Sequence, residues 1–273
     1  MAPPIDQNTI LDLCLHQKDR PIIFDIGACE GESSIGYKSR FPISVIHSFE
    51  PLPDNIELIK KNIKRYGYSD IFLNEVCLSD IDGFAQFNVS SGIPDGIDLK
   101  DYTELEYWNK SSSLLNPGNI DKLYNWLEFK EQIQVQTVTL ENYCSTNGIS
   151  AIDFIHMDVQ GAELLVLNGA GPMLNKVNII WMEVSSAEIY EGQPLKEEVN
   201  TYMKSHGFEK ILDIGDHITG DELWLRNEYL NSLDNSIKNR IRQIQKSSLS
   251  TFKRRLVWSN LKSILRKLKS AKN

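Results

Sequence analysis

The sequence predicts an α/β fold: a mainly parallel sheet with one antiparallel strand and helices on both faces. Three observations lead there. Short apolar runs of strand length, among them Pro21–Phe24, Val45–Phe49, Ile152–Met157 and Asn178–Met182, alternate with segments of helical period. The runs are followed by acidic residues, Asp25, Glu50, Asp158 and Glu183. Carboxyl ends of strands are where such folds gather their ligand-binding groups. Near the end of the pattern, Glu209–Ile214 and Glu222–Leu225 are joined by the polar turn Gly215–Asp221. That is a hairpin signal, and it supplies the antiparallel strand.

Ile10–His16 reads as a leading helix. Strand one is Ile22–Ile26, a helix follows over Glu32–Ser39, and Pro42 marks the turn into strand two, Val45–Phe49. Pro51 and Pro53 set up the next helix, with Asp54 as its N-cap, Ile56, Ile59 and Ile63 on one face, and Gly67 at its end. Strand three is expected over Ile71–Leu78, and Asp82–Gly83 turns into an extended segment, Phe84–Val89. Ser90–Glu131 carries several Gly and Pro residues among Tyr102, Tyr107, Trp108, Tyr124 and Trp126. It reads as irregular, either a lid over a substrate or a solvated loop packed by a few aromatics. Gln134–Thr139 alternates as a strand and Leu140–Thr146 forms a short helix. Ile152–Met157 is a strand ending in Asp158, and Ala162–Asn168 a helix closed by Gly169. Asn178–Met182 is a strand ending in Glu183, and Leu195–His206 a helix ending at Gly207. The expected organisation is an N-terminal helix in 1–20, a domain over 21–230 with an insertion near 90–131, and a tail over 231–273.

Composition narrows the class. The chain has 273 residues, 41% hydrophobic and 24% charged, as in ordinary globular proteins. No run of 18 apolar residues exists to span a membrane, and Met1–Asp6 lacks the layout of a secretion signal. Cys14, Cys29, Cys77 and Cys144 are scattered, which suits a reducing cytoplasm better than a disulfide framework or a structural zinc. The net charge of −8 hides a sharp asymmetry. Residues 231–273 carry twelve Lys/Arg and one acid, Asp234, whereas the first 230 residues carry seventeen basic and thirty-six acidic groups. An acidic body argues against broad nucleic-acid binding. In the tail, Leu233, Ile237, Ile241 and Ile244, then Val257, Leu261, Ile264, Leu265 and Leu268, recur among basic residues. Such a basic amphipathic segment suits an anionic membrane surface; it equally suits packing on the acidic body or on a twin in a homodimer, with nucleic acid a lesser alternative for the tail.

The chemistry begins at Asp25, Gly27, Ala28 and Gly31, a turn between a strand and a helix that offers backbone N–H groups and a carboxylate to a nucleotide-like cofactor. Glu50, closing the next strand about 20 residues on, is placed to accept hydrogen bonds from both hydroxyls of a ribose. The spacing of Gly27 and Gly31 fits a dinucleotide fingerprint poorly; an acid two residues before the first glycine, as Asp25 stands, fits adenosylmethionine. Three groups at or near strand ends are candidates to take a proton from an acceptor: Asp158, Glu183 and His217. Asp158 also reads as a helix N-cap, Glu183 as a cap or salt-bridge partner, and His217 as a surface residue of the hairpin turn.

The segments Phe24-Asp25-Ile26-Gly27-Ala28, Phe49-Glu50-Pro51 and Ile152 through Glu163, followed by Leu167-Asn168-Gly169-Ala170, resemble the FkbM family of methyltransferases. Leu78-Ser79-Asp80, Ser113-Leu114 and Val138-Thr139-Leu140 fall between them in the order that the family shows. The resemblance covers about residues 20–227 and leaves the tail unexplained. It implies a Rossmann-like class I methyltransferase fold with a seven-stranded sheet. It also implies S-adenosylmethionine as cofactor and a sugar, glycan or secondary-metabolite hydroxyl as acceptor. By the same resemblance Asp25, Gly27, Ala28 and Gly31 form the cofactor turn and Glu50 the ribose acid. Ser79 and Asp80 then lie beside the adenine, and Asp158 near the methyl donor. Family members often have Lys where His156 stands and Glu where Gln160 stands. His156 reads as a core or edge histidine, and Gln160 disfavours a carboxylate-rich metal site. The alternatives are an assembly or binding protein that keeps the fold without catalysis, and an NAD-dependent oxidoreductase.

Overall fold

A computed structural model describes residues 7–92, 109–215 and 218–248. The chain opens with α1 (Gln7–Leu15), β1 (Ile22–Ile26), α2 (Glu32–Arg40), β2 (Val45–Phe49), α3 (Pro53–Tyr66) and β3 (Ile71–Asn74). It continues through β4 (Cys77–Ser79), β5 (Gly83–Gly92), α4 (Ile120–Leu123), β6 (Leu127–Thr139), α5 (Leu140–Thr146), β7 (Ile152–Met157) and α6 (Glu163–Asn168). It ends with β8 (Val177–Ser185), α7 (Lys196–Ser205), β9 (Phe208–Ile214), β10 (Thr219–Arg226), α8 (Asn227–Ser232) and a helix over 235–248, α9. Seven strands form one sheet in the order β3-β2-β1-β7-β8-β10-β9. Only β10 runs antiparallel to both of its neighbours in that sheet, so the expected architecture is present. A second sheet of three strands, β4-β6-β5, stands beside it.

Strand alternation divides the core into two layers. Phe24, Ile155, Ile180 and Trp224 point to one face, where α5, α6 and α7 cover them with Tyr143, Val166 and Met203. Ile23, Phe154, Ile179 and Leu223 point to the other, against α1, α2 and α9. The sheet is thus covered on both faces, as a parallel sheet requires.

The structure revises several expected boundaries. The expected third strand breaks in two. β3 pairs with β2, whereas β4 leaves that sheet and pairs with β6 in the second one. The segment read as irregular holds the end of β5 and the start of β6, which pair antiparallel as far as Gly92 and Leu127. Glu131 interrupts the apolar alternation of Leu127, Phe129, Ile133 and Val135, and that hid the front half of β6. Leu52, not Asp54, occupies the N-cap of α3. Pro53 starts the helix, where its missing N–H is harmless, and Asp54 sits in the first turn, where the helix dipole favours an acid. β8 continues past Glu183 to Ser185, so Glu183 lies inside the strand.

The N-terminal part of the tail belongs to the body's core. Ile241 and Ile244 are buried with Ile10, Leu11 and Leu15 of α1. Arg242 pairs with Glu209, and Gln245 donates to the carbonyl of Lys210 at 2.8 Å. Residues 249–273 lie outside the described residues. Removing the Ile241 side chain is expected to lower the unfolding free energy by about 2–5 kcal/mol, as for other buried Ile→Ala changes. Urea denaturation of Ile241→Ala checks this, and a change under 0.5 kcal/mol (roughly a surface-site effect) would show that α9 does not contribute to the core.

Candidate active site

The carboxyl ends of β1, β2 and β7 open side by side into a cleft of about 540 Å³, roofed by residues 109–114. Its floor is the turn after β1. Gly27 (φ 81°), Cys29 (φ 49°) and Gly31 (φ 80°) all take left-handed conformations there. Gly27 is required on a second count: a Cβ at that position would stand 2.0 Å from the carbonyl oxygen of Asp158. β1 and β7 therefore approach closely only because residue 27 has no side chain.

The sequence predicts that this turn offers its N–H groups to a ligand. The structure engages four of them internally. Gly27 and Ala28 donate to the carbonyl of Phe49 at 3.1 and 3.0 Å, and Gly31 donates to Ala28 at 2.7 Å. Cys29 donates to Glu50 Oε2 at 2.8 Å, while the Leu52 amide donates to Glu50 Oε1 at 3.0 Å. The turn is folded so tightly that its own strand ends take up the donors. What it presents instead is the Glu50 carboxylate, fixed at both oxygens and lining the cleft. Glu50 is 4% exposed, and burial pushes its pKa up to about 7 against the opposing pull of the Leu52 and Cys29 amides and Asn55. Each carboxylate oxygen has lone-pair capacity for a further donor.

Asp25 lies beneath the turn, outside the cleft lining. Ser34 Oγ donates to its Oδ2 at 2.5 Å. The register of β1 on β7 sets Asp25 beside His156, whose Nδ1 is 3.3 Å from Asp25 Oδ1. That contact has the distance of an ion pair without the alignment of a hydrogen bond, and Nδ1 has no hydrogen-bond partner. Burial lowers the His156 pKa, but Asp25, Asp158 and Asp221 outweigh it and the net shift is upward.

Asp158 follows β7 and lines the cleft with Gln160. Water reaches the Asp158 side chain, yet protein surrounds it densely enough that desolvation leads the upward shift of its pKa; Gln160 and His156 oppose that shift. Gln160 is held at φ 53°, a second non-glycine residue in the left-handed region. Its Nε2 donates to Asp158 Oδ1 at 2.6 Å and to Glu183 Oε2 at 3.4 Å. Its Oε1 accepts from the Tyr190 hydroxyl at 3.0 Å, and its main-chain carbonyl accepts from Ser113 Oγ at 2.8 Å. Gln160 thus couples Glu183, which does not itself line the cleft, to Asp158. Burial pushes Glu183 up to about 9, reinforced by Asp158, Glu163 and Asp221; Asp221, opposite it on β10, rises to about 6. Ala162, rather than Asp158, is the N-cap of α6; the Glu163 carboxylate accepts from Gly161 and Val159 instead, at 3.2 and 3.4 Å.

The sequence-derived set is therefore only partly assembled. Gly27, Glu50 and Asp158 meet in the cleft, with Ala28 and Gly31 shaping the turn. Ser79 and Asp80 do not line it, although Cys77 and Leu78 do; Ser79 turns its carbonyl to Gly169 and its hydroxyl to Asp80. His217 lies outside the described residues. Tyr190, Asp221 and the bridging role of Gln160 escaped sequence reasoning. Asp221 carries no local signal, because only the β8–β10 register sets it opposite Glu183. Among the described residues no group of three or more His, Cys, Asp or Glu side chains is arranged to hold a metal ion.

A family model described as a methyltransferase FkbM domain matches residues 25–210. The 2-O-methyltransferase NoeI of Sinorhizobium fredii is 34% identical over 216 residues, covering 79% of this chain and 83% of that protein. The 31-O-demethyl-FK506 methyltransferase FkbM of Streptomyces tacrolimicus is 23% identical over 212 residues, 74% of this chain and 78% of that protein. A segment of the AMB antimetabolite synthetase AmbE of Pseudomonas aeruginosa is 27% identical over 203 residues, 69% of this chain and 9% of that protein.

The acid cluster makes stability depend on pH in a definite sense. Between the ordinary Glu value of 4.5 and about 9, the folded protein keeps a proton on Glu183 that the unfolded chain releases. Stability from this group therefore falls as pH rises through that window. Glu183→Gln, which has no proton to lose, is expected to gain about 1 kcal/mol or more on the wild type between pH 5 and pH 8. Urea denaturation of both proteins at the two pH values measures it, and parallel behaviour would contradict the assigned shift.

Proposed function

The chain belongs to the FkbM methyltransferase family, and from that premise we propose that its cleft aligns S-adenosylmethionine with a hydroxyl of a sugar, glycan or secondary metabolite. It is an S-adenosylmethionine-dependent methyltransferase. The observation that carries the site is the buried Glu50 carboxylate, held by two backbone amides at the cleft wall. The residues fit the cofactor. Glu50 supplies paired acceptors for ribose hydroxyls, Gly27 lets the end of β7 close against the turn, and Asp158 supplies negative charge beside a cation.

S-adenosylmethionine supplies an electrophilic methyl group on a cationic sulfur. The task left to the chain is alignment, exclusion of water and a destination for the acceptor's proton. Asp158 is the proposed proton acceptor, with its pKa raised toward the working range and its carboxylate oriented by Gln160. Glu183, held protonated at neutral pH by its burial, is less suited to take that proton. His217 stays a proposal for the same role from the hairpin turn. Asp25 supports the turn from below and opposes the burial that would lower the His156 pKa. Ser79 and Asp80 are proposed to act only at the outer edge of the adenine side.

A second reading concerns where the enzyme works. Residues 249–273 hold eight Lys/Arg and no acid, with Val257, Leu261, Ile264 and Leu268 at helical spacing. This supports peripheral contact with an anionic membrane from the cytoplasmic side. A cytoplasmic location is also supported by four free cysteines. No described helix is long and apolar enough to cross a membrane.

Glu50→Ala is expected to weaken adenosylhomocysteine binding by about 10- to 100-fold, the value of hydrogen bonds to a charged group; calorimetry showing wild-type affinity would refute the ribose contact. Asp158→Asn is expected to lower kcat by about 10²–10⁴, and methyl transfer within threefold of wild type would remove it as the base. Liposome flotation is expected to separate the full chain from one ending at residue 248 on anionic vesicles; equal behaviour would end the membrane reading.

A further inference from the structure

A second concavity, of about 740 Å³, lies on the outer side of the small sheet, lined by Asn116, Phe129, Lys130, Gln132 and Glu191 among others. It shares a wall with the cleft. Along one segment, Ser112 and Leu114 line the cleft and Asn116 and Pro117 line the groove. Leu114 and Asn116 are two residues apart, at most about 7 Å of chain. A bridge pairs Pro117 with Tyr190. Tyr190 bonds Gln160 of the cleft while its neighbour Glu191 lines the groove.

The lining has a specific chemistry. Glu191 accepts from the Asn116 amide at 3.2 Å, and its own N–H donates to the Asn116 carbonyl at 3.0 Å. Gln132 donates at 2.7 Å to the buried Asn88, which in turn donates to the carbonyl of Leu115 at 2.9 Å. Each of the exposed carboxamides, Asn116 and Gln132, so commits one N–H and has a second N–H and an oxygen for a ligand. Phe129 is half-buried, packed against the cluster that contains Tyr190, and contributes an apolar surface. Lys130 pairs with Glu128, so the groove has no concentrated positive charge to attract phosphate. Two exposed carboxamides, one carboxylate and one ammonium of balanced charge around an apolar ring match a neutral ligand with many hydroxyls and apolar C–H faces.

Resting on the methyltransferase reading, we propose that this groove is a subsite for the non-reacting part of a neutral oligosaccharide, whose terminal ring enters the cleft. The groove then contributes affinity and selects extended acceptors over single sugars, without touching the reacting atoms.

The test uses the full ¹⁵N-labelled protein saturated with adenosylhomocysteine and titrated separately with cellotetraose, maltotetraose and chitotetraose. The expected result is millimolar binding of at least one tetrasaccharide, with shifts of the Asn116 and Gln132 side-chain amide signals. Glu191→Ala with Lys130→Ala, two exposed positions, is expected to weaken that binding at least fivefold and leave adenosylhomocysteine affinity and thermal stability unchanged. No shift with any of the three sugars, or shifts that the double variant does not weaken, overturns the subsite. Failure of the wild type to bind adenosylhomocysteine would instead overturn the reading on which the subsite rests.

Discussion

The hydrogen bond from the Cys29 amide to the Glu50 carboxylate is the interaction on which the rest of the site depends. It ties the turn after β1 to the end of β2, and the Phe49 carbonyl reinforces it by accepting from Gly27 and Ala28. A carboxylate buried at this depth would be unfavourable without those partners. With them it becomes a fixed acceptor whose position is set by two adjacent strands. The absence of a side chain at Gly27 then lets the end of β7 close against the same turn, which brings Asp158 to the cleft.

Around that frame the charges are arranged with one sign. Asp25, Asp158, Glu163, Glu183 and Asp221 crowd the carboxyl ends of β1, β7 and β8, the adjoining loop and helix start, and the amino end of the antiparallel β10. Burial leads the upward shifts of Asp158, Glu183 and Asp221, and the neighbouring like charges add to it. Such a cluster stays strained, although His156 offsets part of the repulsion at Asp158 and Asp221. A cationic cofactor relieves that strain, so electrostatic frustration in the free enzyme favours binding. Gln160 moderates the frustration by placing an amide N–H where a third carboxylate would have added repulsion.

The large sheet was legible because its strands are near-continuous apolar runs and its helices carry clear stop signals, such as Gly67 at φ 70°. The small sheet was not. β4 is three residues long, and β6 is polar on its outer side, so neither has a pattern that separates strand from loop. In the site, Gly27, Glu50 and Asp158 were legible because each sits within a few residues of a strand end. Gln160, Tyr190 and Asp221 were not, because their significance lies in contacts between distant segments. Ser79 and Asp80 show the converse: close in sequence to the cleft-lining Leu78, they are turned aside by the approach of Gly169.

A crystal structure of the protein with adenosylhomocysteine tests the account most directly. The ribose hydroxyls are expected within hydrogen-bond distance of both Glu50 oxygens, and the sulfur between Gly27 and Asp158. Adenosylhomocysteine bound elsewhere, or bound with its ribose turned away from Glu50, would contradict it.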